Sequence, residues 1–121
     1  MAQKFKYGIV SEYSSFANYL TIGNSYADVG TWGVRNLKSR QFRFVGATNN
    51  LLVNVLGSMD GGATYDIVLE ADVAVNAGAT VYKNYYPTAS VPYCTHIKIQ
   101  VKPATPSAHG TLSTSYAGAS I

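Results

Sequence analysis

Between Pro92 and Pro103 the chain alternates for ten residues with a strict period of two. Tyr93, Thr95, Ile97, Ile99 and Val101 fall on one side; Cys94, His96, Lys98, Gln100 and Lys102 fall on the other. A helix would place its apolar residues three and four apart, so this pattern predicts a strand with one packed face and one face toward solvent or a partner. A strand half-buried in this way needs neighbours, and the rest of the chain is suited to supply them. Val, Ile and Thr together number 28 against 7 Leu, a balance that favours pleated structure over helix.

A second unit reads as a hairpin. Leu51 to Met59 forms its first arm, Asp60-Gly61-Gly62 supplies residues that accept positive φ, and Ala63 to Glu70 returns. On the return, Tyr65, Ile67 and Leu69 share one face. Further strands are expected at Phe5 to Val10, Arg40 to Val45, Asp72 to Asn76, Thr80 to Asn84 and Thr111 to Tyr116; Ser14 to Ile22 reads as a strand or a short helix, with the strand favoured. A turn is expected at Ala77-Gly78-Ala79, and a long irregular loop from Gly23 to Trp32. Seven to nine short strands punctuated by turn residues predict an all-β, antiparallel two-sheet β-sandwich, jelly-roll or immunoglobulin-like, in a single domain spanning 1–121. A barrel of the oligonucleotide-binding type is the alternative. Residues 1–10 could form an N-terminal arm and 117–121 a small-residue tail.

Function is constrained mostly by exclusion. Only 12% of residues are charged and the net charge is +3, which gives no concentrated basic patch of the kind that nucleic acid demands. No apolar run approaches the roughly 18 residues that a membrane helix needs. The opening Met-Ala-Gln-Lys-Phe-Lys lacks the apolar core of a signal peptide, so synthesis in the cytoplasm is expected. Cys94 is alone, which rules out an internal disulfide. His96 and His109 have no nucleophile elbow or metal-binding motif around them. Asp60, Asp66, Glu70 and Asp72 do not follow a calcium-loop spacing. Neither an enzyme nor a cofactor or metal site is expected.

Two patterns point to surfaces instead. Charge is segregated: Lys4, Lys6, Arg35, Lys38, Arg40 and Arg43 in the first fifty residues face only Glu12 and Asp28, whereas residues 51–80 carry four acids and no base. Such blocks can pair within the fold or between copies. Tyrosine is abundant, with ten in the chain, and this side chain is enriched at interfaces. Tyr82, Tyr85, Tyr86 and Tyr93, around Pro87 and Pro92, are expected to form a rigid aromatic loop. With Phe5 and Tyr7 of the arm, and His96 and Lys98 on the polar side of the alternating strand, they make the candidate interface.

The stretch from Val53 to Tyr65, VNVLGSMDGGATY, looks like a strand–turn–strand unit of β-sandwich modules in tailed-phage structural proteins, and Thr95 to Leu112, THIKIQVKPATPSAHGTL, has the same look. Over about residues 50–115 the chain is similar to the small decoration, or cement, proteins of phage heads. That resemblance implies a non-enzymatic virion protein that binds assembled major capsid protein or other virion subunits, often as a homo-trimer, and stabilises the shell. A tail or fibre component is one alternative. A carbohydrate-binding sandwich, with the Tyr85–Tyr93 loop or Trp32 stacking on sugar rings, is another.

Overall fold

In the computed structural model, residues 11–20, 25–34, 39–85, 94–105 and 110–119 are described. They form eight strands and no helix: β1 (Ser11–Leu20), β2 (Ala27–Gly33), β3 (Ser39–Thr48), β4 (Leu51–Ser58), β5 (Ile67–Val75), β6 (Thr80–Asn84), β7 (His96–Pro103) and β8 (Gly110–Ala119). One sheet runs β1-β8-β3-β6 and the other β2-β7-β4-β5. All pairings are antiparallel. Four of them join β1 to β8, β2 to β7, β3 to β6 and β4 to β5, so each pair of strand numbers sums to nine. One long hairpin folded over on itself produces this order, and β8·β3 and β7·β4 pairing then completes the two sheets. The topology is that of a jelly roll, which decides between the two sandwiches expected from the sequence.

The core lies between the sheets and follows the pleat. From the first sheet Phe42, Phe44, Leu112 and Tyr116 point inward; from the second Val53, Val55, Val73, Val75, Ile97, Ile99 and Val101 do. Phe42 is the aromatic hub, with ring centroids 4.9 Å from Tyr116, 5.2 Å from Trp32 in an edge-on approach, and 6.1 Å from Phe44. These offset and edge-on contacts are the favoured geometries of aromatic quadrupoles.

Several expectations need correction. The segment Gly23 to Trp32 is not all loop: from Ala27 onward it is β2, held on β7 with Trp32 opposite Ile97. Glycine and Asp28 disguise this strand, and a bulge between Asp28 and Gly30 breaks its alternation. β7 begins at His96, three residues later than expected, and Cys94 does not share the outer face with His96. It is fully buried in the core, because regular pairing with β4 stops at His96–Ser58 and the chain then turns through the Thr95 N–H bond to the Ser58 carbonyl, 2.7 Å. The residues from 117 are no tail as far as Ala119, since β8 pairs with β1 and β3 up to that residue. β5 and β6, although consecutive, belong to different sheets; the turn between them contains Gly78 at φ 78°. The expected strand Phe5 to Val10 lies outside the described residues.

Candidate interaction surfaces

On the outer face of the second sheet the β7 row is covered by neighbouring side chains, while Val68 of β5 is 62% exposed. His96, Lys98, Gln100 and Lys102 project from β7 as the alternation predicts, all half-buried. The Lys98 ammonium sits 4.6 Å from the Tyr65 ring centroid, and Lys102 is 4.8 Å from that of Tyr26. The two tyrosines reach across the sheet from opposite edges. Tyr65, just before β5, hydrogen-bonds with the Thr31 side chain on β2. Tyr26, just before β2, donates its hydroxyl proton to the Asp72 carboxylate on β5. Partial burial pushes both phenols up, reinforced at Tyr26 by the Asp72 carboxylate. Between these straps Gln100 donates to Asp28 at 2.8 Å, and Asp28 also lies 3.6 Å from Lys98. The basic row of β7 is therefore spent on internal aromatic and carboxylate partners.

A tight turn buttresses that face. Asp60 accepts hydrogen bonds from Ser58 Oγ at 2.6 Å, Thr64 Oγ1 at 2.6 Å and the Thr64 N–H at 3.0 Å. These donors hold its carboxyl well below the usual carboxylate range. The carboxylate organises the turn, which is why Asp60 stands there. Among the described residues no group of three or more His, Cys, Asp or Glu could hold a metal ion. His96 Nδ1 shares a 3.0 Å hydrogen bond with Thr95 Oγ1, while Cys94, in the core, lies with Sγ 3.5 Å from the buried Arg40 guanidinium. Burial pushes the Cys94 thiol up against the opposing pull of Arg40. The two residues do not form a thiol–imidazole pair.

The outer face of the first sheet is different. Ser115, Tyr116 and Ala117 of β8 line, with Gln41 and Arg43 of β3 and Tyr82 of β6, a shallow depression of about 170 Å³. Arg43 donates to Ser115 Oγ at 2.9 Å, which lays its guanidinium along the sheet. Among the described side chains of this face, Tyr82 is 60% exposed.

The expected interface residues thus separate. Tyr82 is on an outer face. Tyr85 is not in an exposed loop: it is 6% exposed, packs 6.2 Å from Phe42, and donates to Glu70 Oε1 at 2.8 Å. Glu70 also meets Lys83 at 3.1 Å, so one carboxylate ties the edge of the second sheet to the edge of the first. Lys98 and His96 lie on the self-covered face. Phe5, Tyr7, Tyr86 and Tyr93 lie outside the described residues. Tyr26, Tyr65 and Glu70 escaped sequence reading because their partners are distant in the chain. Tyr65 moreover was expected to share a face with Ile67 and Leu69, whereas it precedes β5 and its ring lies against Lys98 on the outer face, while Ile67 and Leu69 pack against the core.

No protein-family model matches the sequence, and no curated protein does. Solved structures share the fold. A structure of Bacillus endospore appendages, described as a family of disulfide-linked pili, is 10% identical with a TM-score of 0.55, over 91% of this chain and 87% of that one. The SPBc2 prophage-derived protein YomS is 10% identical with a TM-score of 0.53, over 89% and 95%. The VP2 subviral particle of infectious bursal disease virus matches at 10% identity and a TM-score of 0.55, over 93% of this chain but only 32% of VP2. At such identities the likeness is one of fold.

Proposed function

We propose that the chain is a non-enzymatic structural subunit of a virus particle, a decoration or cement protein that binds assembled major capsid protein on a phage head. The observation that carries this reading is the contrast between the two outer faces. On one, Tyr26 and Tyr65 lie over the lysines of β7; among the described side chains the other presents Tyr82, 60% exposed, beside Arg43 tied to Ser115, an exposed aromatic of the kind that packs against protein. The fold of the viral particle and prophage-derived neighbours is compatible with it. The arm at 1–10, with Phe5 and Tyr7 alternating with lysines, adds a strand to a neighbouring subunit, and Tyr86 and Tyr93 extend the contact. The glycan-binding alternative placed the Tyr85–Tyr93 loop or Trp32 on sugar rings; Trp32 and Tyr85 pack against Phe42, and Tyr86 and Tyr93 lie outside the described residues.

Quantitative mass spectrometry of gradient-purified particles from the producing cells tests the role. A copy number in fixed proportion to the major capsid protein supports decoration, and a few copies per particle point to the tail. Absence from particles overturns the proposal. In reconstitution with stripped heads, Tyr82→Ala is expected to reduce pelleting of the protein with the shell.

A further inference from the structure

A two-sheet sandwich has four edge strands, here β1 and β6 of one sheet and β2 and β5 of the other. Edges carry unpaired N–H and C=O groups, and natural proteins guard them with bulges, short strands and charges, including charges that point inward. β2 has a register shift between Asp28 and Gly30. β5 has two shifts, a positive φ of 54° at Asp72, and the acids Glu70 and Asp72. β6 is only five residues long and carries Lys83 tied to Glu70. β1 has none of these. It pairs with β8 for ten residues without a shift, contains no proline or lysine, and bears a single charge, Glu12, near one end. No described strand covers its other edge.

We infer that β1 is a pairing edge whose occupant is β1 of a second copy, antiparallel about a two-fold axis. A second β1 matches the first in length and regularity, giving a ladder of about 34 Å at the usual rise per residue. Antiparallel self-pairing sends the two Glu12 carboxylates to opposite ends, so the strand brings no like charges together. The joined sheet runs β6-β3-β8-β1 into β1-β8-β3-β6, and its remaining edges are both the guarded β6. Association therefore closes at the dimer instead of growing into a fibre. This goes beyond the particle role and stands or falls without it. It differs from the trimer that the phage-protein resemblance implies.

Light scattering on the purified full chain over a wide concentration range provides the test. A mass of twice 13.0 kDa is expected. Ala17→Lys, in mid-β1 opposite the half-exposed Ser113, should return the mass to one chain with an unchanged far-ultraviolet circular dichroism spectrum. Thr80→Lys on β6 should leave the dimer intact. A trimer, a monomer at all concentrations, or a dimer broken by Thr80→Lys but not by Ala17→Lys overturns the inference. Should Ala17→Lys fail to fold, hydrogen exchange on the unaltered protein decides. Protection of β1 amides must rise between dilute and concentrated samples, and no rise refutes the pairing.

Discussion

Gly46 of β3 sits where the first sheet meets the turn between β5 and β6. Its N–H donates to the Ala79 carbonyl at 3.0 Å, and its carbonyl accepts from the Gly78 N–H at 2.9 Å. A Cβ built on Gly46 would lie 2.7 Å from the Asn76 carbonyl oxygen and 3.3 Å from Val75 Cγ1. The first contact is with backbone and cannot be relieved by a rotamer change. Gly46→Ala must therefore push the turn away, weakening two hydrogen bonds worth about 1 kcal/mol each or forcing an overpacking cost of about 1–3 kcal/mol. The gain in unfolded-state entropy from removing a strand glycine returns only about 0.4–1 kcal/mol. The net loss is about 1–2 kcal/mol, or roughly 4–8 °C in Tm for a domain of this size. Gly78→Ala makes the control: nothing lies within 4 Å of its Cβ, and the objection is φ 78° alone, which costs about 1–2 kcal/mol. Calorimetry on both variants reads the difference. A Gly46→Ala protein melting within about 2 °C of the parent would show that the turn yields freely and that the steric reasoning is wrong.

Two further outcomes are expected. Asp60→Ala should lower stability at neutral pH. The folded-state pKa of Asp60 is depressed, so its contribution is full above the unfolded carboxylate value of about 4 and lost as pH falls through the lower folded value. Urea titrations should find the variant's deficit shrinking in strong acid, and a deficit independent of pH would contradict this. Cys94, buried and with its thiol pushed up, should react with a disulfide reagent only as fast as the protein opens. A labelling rate in native buffer equal to that in denaturant would place the thiol at the surface.

The all-β sandwich was legible in the chain because a strand between a core and solvent records both environments in its alternation. Ile97, Ile99 and Val101 point inward and Lys98 and Gln100 outward as the period of two requires, and β4 and the Asp60 turn were legible for the same reason. The turn at Gly78 was also readable, as a local demand on φ. Which sheet each strand joins was not, since β5 and β6 are neighbours in sequence yet part company at that turn, and β1 finds β8 across almost the whole chain. β2 was missed because glycines and a bulge erase alternation exactly where pairing is irregular. The aromatic side chains divided on the same principle: composition made tyrosine conspicuous, but only packing put Tyr85 against Phe42, laid Tyr26 and Tyr65 over the lysines of β7, and left Tyr82 exposed. Local periodicity is set by the pleat and is written residue by residue. Partnership is set by which distant surfaces exclude water together, and that exists only once the two sheets have closed.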